Sequence, residues 1–142
     1  RSPDAEITVF CEEPRPAYDR VQLTSYFAGK DLNLVDRKFL KDARITLRLN
    51  DNVLAIDPMS KMVRSARYRD VPYDKLVIAT GSSPFVPPVP GHDRRGCFVY
   101  RTIEDLEVIT TAARRSKVGT VIGGGLLGLE AAKALQDLGS PK

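Results

Sequence analysis

The chain is poor in the residues that most catalytic and metal sites need. Its 142 residues include no tryptophan, one histidine and two cysteines. Cys11 and Cys97 lie far apart in sequence, so they form neither a CxxC redox pair nor a metal knuckle. They read as the reduced thiols of a cytoplasmic protein rather than as a disulfide. Ser82 and Ser83 have no base motif nearby, and His92 falls in a proline-rich stretch where it reads as linker surface. No catalytic side chain and no metal ligand is therefore expected. No apolar run reaches the roughly 18 residues a membrane helix needs. The opening RSPDAEITVF has neither Met nor a basic-then-apolar leader, so no signal peptide is read, and the chain reads as a piece of something longer.

What is present is ordinary for a globular protein of about one domain: 42% hydrophobic and 28% charged residues. The net charge is +4. Basic residues alternate with acidic ones, most densely in DRKFLKDARITLR (36–48), and ARRSK (113–117) reads as a helix C-terminal turn. A solvated face explains this, and so does attraction of an anionic nucleotide. Few aromatics lie among the basic residues and no recognition motif appears, so nucleic acid is not expected as a partner, nor is a membrane.

Along the chain, EITVF (6–10) is β-branched and reads as a strand that stops at the prolines of CEEPRP. DRVQLTSYFAGK (19–30) reads as a short helix ended by Gly29. ARITLRLN (43–50) alternates apolar and polar residues as a half-buried strand does. NVLAIDP (52–58) and KMVRSARYR (61–69) read as two more, and short turns between the three predict an antiparallel meander. Leu76 to Ala79 is continuously apolar, which predicts a strand buried on both faces. PFVPPVPGHDRRG (84–96) can only be an extended connector. FVY (98–100) reads as a brief strand. TIEDLEVITTAARRSK (102–117) reads as a helix capped by Thr102, with Glu104 and Asp105 in its first turn and Arg114, Arg115 and Lys117 in its last. VGTVIG (118–123) reads as a strand, and LLGLEAAKALQDLG (126–139) as a helix closed by Gly139.

The sharpest motif is Gly123-x-Gly125-x-x-Gly128 in VIGGGLLGLE (121–130), set between a strand and a helix. That context raises it above a chance GxGxxG. Gly123 permits a tight turn, Gly125 lets a pyrophosphate approach the backbone, and Gly128 lets the helix pack close to the strand. Leu126 and Leu127 open the helix, where free N–H groups and the positive helix end suit phosphate. The alternative is a tight strand-to-helix turn packed for structural reasons alone. The residue that would choose NAD or NADP is expected about 20 positions further on, past Lys142.

A second constellation is YDKLVIATGSSPFVPPVPG (73–91), where an apolar strand ends in Ala79-Thr80-Gly81. ATG, proline connector and second glycine loop, in that order, resemble the flavoprotein reductases built from two dinucleotide folds. More narrowly, EEPRPAYDRVQLTSYFAG, YDKLVIATGS, CFVYRTIEDLE and GGGLLGLEAAKAL together resemble the large-subunit family of assimilatory NAD(P)H-dependent nitrite reductases over essentially the whole chain.

The resemblance implies an α/β fold: part of two Rossmann-like domains, one for FAD and one for NAD(P)H, with a small antiparallel β meander. It implies residues 1–90 in a partial FAD domain, 91–101 as linker and 102–142 as the start of the NAD(P)H domain. The family's first βα unit, with the FAD loop, is expected before Arg1. Glu12, with Glu13 as alternative, takes the place of the acidic residue on the adenosine ribose. Arg20 matches a residue near the FAD diphosphate, Val53 one whose backbone holds adenine, and Ala79, Thr80 and Gly81 the strand that closes the FAD domain. Gly123, Gly125, Leu126, Leu127 and Gly128 fall to NAD(P)H. Glu130 resembles a Glu near the nicotinamide–flavin contact. Plain readings stand beside these: turn carboxylates for Glu12 and Glu13, an Arg20 paired with Asp19 or Asp36, a core Val53, and a Glu130 paired with Lys133.

The implied activity is electron transfer from NAD(P)H through FAD. In that family electrons continue to a sirohaem and a 4Fe–4S cluster in a downstream region, where nitrite becomes ammonia in nitrogen assimilation, and a small nitrite reductase subunit is a further partner. A stand-alone ferredoxin or rubredoxin reductase is the nearest alternative. A non-catalytic nucleotide-binding fragment is the alternative of another class. The lack of two closely spaced cysteines argues against disulfide-exchange chemistry.

Overall fold

A computed structural model describes residues 5–68 and 70–139. The chain divides into two compact units. One comprises the residues up to Tyr18 together with Asn33–Thr80; the other comprises Asp19–Leu32 together with the residues from Gly81 onward.

The first unit begins with β1 (Ile7–Phe10). It pairs in parallel with β2 (Ile45–Arg48), in the register Ile7 to Ile45 and Phe10 to Arg48. Parallel strands need a crossover, and the crossover contains α1 (Arg37–Asp42). The Asp36 carboxylate starts α1 by accepting from the Phe39 N–H at 2.6 Å. Arg44, at φ 53°, then turns the chain into β2. This corrects the expected meander. The 43–50 segment belongs to a parallel pair, and the antiparallel sheet is β3 (Val53–Asp57), β4 (Met62–Ser65) and β5 (Asp70–Pro72). Alternation identified β2 as a strand but carries no information about its partner. The third strand, β5, is too short and contains too much proline to show a period. Helix α1 was also missed, because its charged composition reads equally as loop.

One buried side chain ties this unit together. Asp51 is fully buried. Its carboxylate accepts from Ser65 Oγ at 3.1 Å and from the Arg67 N–H at 2.9 Å. Its own N–H donates to the Cys11 carbonyl at 2.9 Å. The residue thus joins the exit of β1 to the end of β4. Beside it the Arg48 guanidinium lies 4.0 Å from the Tyr68 ring centre and 5.5 Å from that of Phe10.

The second unit is helical. Residues Leu23–Ala28 form a 3₁₀ helix that ends at Gly29, in the left-handed conformation at φ 77°. It packs with α2 (Ile103–Ala113) and α3 (Leu126–Gly139). Thr102 and Asp105 form a reciprocal capping box at the start of α2. Leu23, Ile103, Leu106 and Ala134 are buried. Helix α2 ends earlier than expected, so Arg114, Arg115 and Lys117 follow it rather than occupy its last turn.

Three expected strands are absent. Residues 76–79, 98–100 and 118–123 form no regular element and pair with no strand among the described residues. Val77 and Ile78 are exposed rather than buried on both faces. Apolar composition marks a segment fit for a sheet interior, but a strand exists only where neighbours accept its N–H and C=O groups. Among the described residues no helix is long and apolar enough to cross a membrane.

Two substitutions test this packing. Asp51→Ala leaves the Ser65 hydroxyl and the Arg67 N–H without their acceptor, and should lower stability in urea denaturation by about 2–3 kcal/mol. Asp51→Asn keeps an acceptor oxygen and should recover about half of that loss. A Cβ on Gly128 would lie 2.0 Å from the Gly123 carbonyl oxygen, a main-chain atom that cannot swing aside. Gly128→Ala should therefore cost about 3 kcal/mol in the same assay. An unchanged midpoint would contradict the close approach.

Candidate nucleotide-binding site

The expected glycine loop forms in the second unit as an extended segment, a turn and a helix. The extended segment lies along α3, since a Cβ on Gly119 would touch Leu135 Cδ1 at 3.0 Å. Gly123 turns the chain at φ 127°, a conformation that side chains disfavour. Gly128, in the first turn of α3, sits against the Gly123 carbonyl at a distance only glycine permits. The helix is thereby held down on the turn that precedes it.

The outer face of the loop is open. A Cβ built on Gly124 or Gly125 would meet no atom within 4 Å. The Gly125 carbonyl accepts from the Leu129 N–H at 3.1 Å and so starts the helix ladder. Gly125 has no side chain to cap the first N–H groups, and the first turn holds no acidic residue to compete for them. Leu126 and Leu127 are exposed. The cradle accordingly offers donors, a positive helix end and space, which is what a pyrophosphate requires. A dinucleotide fits these residues, and a Cβ at Gly125 would project into that space.

Beyond the loop, α3 presents Glu130. Its Oε2 accepts from Thr24 Oγ1 at 3.0 Å. Thr24 Oγ1 also lies 2.9 Å from Tyr100 Oη. The Tyr100 ring tilts against Phe27, with ring centres 6.3 Å apart. Burial raises the Tyr100 phenol above the ordinary tyrosine range, and the nearby Glu130 charge adds to it. Lys133, the suggested partner of Glu130, instead pairs with Asp137. Thr24 and Tyr100 were missed in the sequence. No pattern marks them, because the Thr24–Glu130 contact spans 106 positions and depends on how the 3₁₀ helix docks.

The remaining candidates fall in separate places. Also in the second unit, Arg20 Nη1 donates to the Arg101 carbonyl at 3.2 Å, and Arg101 Nη1 donates to Ser82 Oγ at 3.2 Å. Gly81 adopts φ 72°, with the Arg101 guanidinium over it. In the first unit, Glu12 is exposed just past the carboxyl end of β1. Glu13 Oε2 accepts from the Tyr18 hydroxyl at 2.8 Å, which gives it a structural use. Val53 opens β3, and Ala79 and Thr80 lie exposed in the extended stretch after β5.

His92 and Cys97 help to line a hollow of about 310 Å³ in the second unit, together with Asp105. The Asp105 carboxylate is already engaged by the N–H groups of Arg101 and Thr102. Both cysteines are free. Among the described residues no His, Cys, Asp and Glu cluster could hold a metal ion.

Known proteins extend this geometry. The large subunit of nitrite reductase [NAD(P)H] from Klebsiella oxytoca is 56% identical over 136 residues, which is 94% of this chain and 14% of that protein. The large subunit of nitrite reductase (NADH) from Escherichia coli (strain K12) is 53% identical over 137 residues, 94% of this chain and 16% of that protein. This chain thus spans about one-sixth or less of the length of these relatives. Among solved structures, NADH:rubredoxin oxidoreductase from Clostridium acetobutylicum superposes with a TM-score of 0.84 at 27% identity, covering 95% of this chain and 36% of that one. The family described as pyridine nucleotide-disulphide oxidoreductase matches residues 1–141. The match over nearly every residue leads to one conclusion: the chain belongs to the pyridine nucleotide-disulphide oxidoreductase family.

Proposed function

We propose that this chain is part of the reductase section of a nitrite reductase large subunit, taking electrons from NAD(P)H through FAD toward nitrite. The observation that carries this reading is the open glycine loop at the start of α3, in a chain more than half identical to two nitrite reductases. That identity, against 27% for the rubredoxin oxidoreductase, favours nitrite reductase over a stand-alone reductase. A loop that is tight on one side and open on the other favours a binding role over a fragment that keeps only the fold.

We assign residues 1–90 to FAD, 91–101 to a linker and 102–142 to the start of the NAD(P)H domain. Two-electron chemistry is what the flavin supplies when bound. The chain's own residues bind and orient. The N–H groups at Gly125, Leu126 and Leu127 receive the NAD(P)H pyrophosphate, with Gly123 and Gly128 holding them in place. Glu130 faces the nicotinamide end. Arg20 serves the FAD diphosphate, and Gly81 turns the chain against the flat flavin. In the first unit Glu12 hydrogen-bonds the adenosine ribose, with Glu13 as the alternative, the backbone at Val53 holds adenine, and Ala79 and Thr80 line the flavin. Ligands of open α/β sheets lie outside the carboxyl ends of their strands, which is where Glu12 stands. The free thiols suit the cytoplasm. Sirohaem and a 4Fe–4S cluster belong to a downstream region, and a small nitrite reductase subunit is the proposed partner.

The full-length flavoprotein should be yellow and should oxidise NADH or NADPH with an artificial acceptor; a folded, colourless protein that cannot be reconstituted with FAD would contradict this. Gly125→Val places a branched side chain in the pyrophosphate space. It should raise KM for the nicotinamide nucleotide about tenfold or more while FAD stays bound at full occupancy. Loss of FAD with an unchanged KM would assign the loop to the other cofactor.

A further inference from the structure

The hydrogen bonds at Glu130 have a direction. A carboxylate only accepts, so the single Thr24 hydroxyl proton goes to Glu130 Oε2, at 3.0 Å. In the 2.9 Å contact between Thr24 and Tyr100, Tyr100 is then the donor. The result is one chain of donation, Tyr100 to Thr24 to Glu130. Its three members come from α3, the 3₁₀ helix and the segment before α2, all within one compact unit.

Neutral hydroxyls orient the carboxylate without cancelling its charge. The one lysine a helical turn away is taken up by Asp137. Among the described residues no cation pairs with Glu130. A carboxylate so held suits a ligand group that carries positive charge, because its field is unspent while its position is fixed. Oxidised nicotinamide is such a group, and reduced nicotinamide is neutral.

We propose that Thr24 and Tyr100 are positioning residues. Their directed hydroxyl chain aims the unneutralised Glu130 carboxylate at the nicotinamide ring and favours its oxidised, cationic form. The inference rests on the dinucleotide reading above and adds two residues and a charge preference to it. Thr24 touches no cofactor in this account. It acts through Glu130.

The test uses the full-length flavoprotein and calorimetric binding of two ligands. One is NAD⁺ or NADP⁺, whichever the wild type takes; the other is the matching ADP-ribose, which lacks nicotinamide. Thr24→Val keeps the shape and removes the donor. It should weaken binding of the oxidised dinucleotide about tenfold, and that of the ADP-ribose by less than about twofold. Thr24→Ser should restore wild-type binding. Tyr100→Phe should shift the oxidised dinucleotide in the same direction by a smaller factor. In a Glu130→Gln background, Thr24→Val should have no further effect. The proposal is overturned if Thr24→Val binds both ligands as wild type does, weakens both equally, or adds in full to Glu130→Gln. If Thr24→Val does not fold, the same contrast in Tyr100→Phe decides. A wild-type protein that binds neither ligand would instead remove the dinucleotide reading itself.

Discussion

The contact between α3 and the turn before it constrains everything proposed for the loop. Gly128 rests on the Gly123 carbonyl so closely that no side chain fits. That approach decides where the first N–H groups of α3 point, and it leaves Gly124 and Gly125 facing open space. The loop thus has a dense inner side and an empty outer side. Structural packing explains the first and gives no reason for the second. A dinucleotide explains both, because phosphate needs bare backbone held in one geometry.

The two units meet their polar requirements by different means. In the first, the buried Asp51 is saturated by internal donors and joins strands that would otherwise share few contacts. In the second, Glu130 is only partly buried and is held by a neutral donor, so its charge remains for another group. Internal saturation identifies a carboxylate with a folding role. Fixed orientation without a counter-ion is what the role proposed for Glu130 toward a ligand requires. Glu13 is engaged by Tyr18, whereas Glu12 beside it is exposed.

Features with a local cause were legible in the sequence. Thr102 and Asp105 cap α2 as their spacing implies, Gly29 ends the 3₁₀ helix, and α3 starts at Leu126 as its patterning implies. Features that depend on a partner were not. Alternation marked 43–50 as a strand and assigned it to the wrong sheet, because β1 pairs with it across an intervening helix. Leu76 to Ala79 and Val118 to Ile122 have the composition of buried strands, yet they are unpaired among the described residues. The hydroxyls of Thr24 and Tyr100 belong to this second class. A threonine in a 3₁₀ helix looks like surface until the docking of that helix brings it to Glu130.

The central claim is that this loop receives a nicotinamide dinucleotide. A crystal structure of the intact flavoprotein soaked with its oxidised pyridine nucleotide tests it most directly. The account predicts pyrophosphate oxygens at hydrogen-bond distance from the N–H groups of Gly125 to Leu127, with the nicotinamide ring toward Glu130. A pyrophosphate bound elsewhere, or the FAD pyrophosphate in this loop, would contradict it.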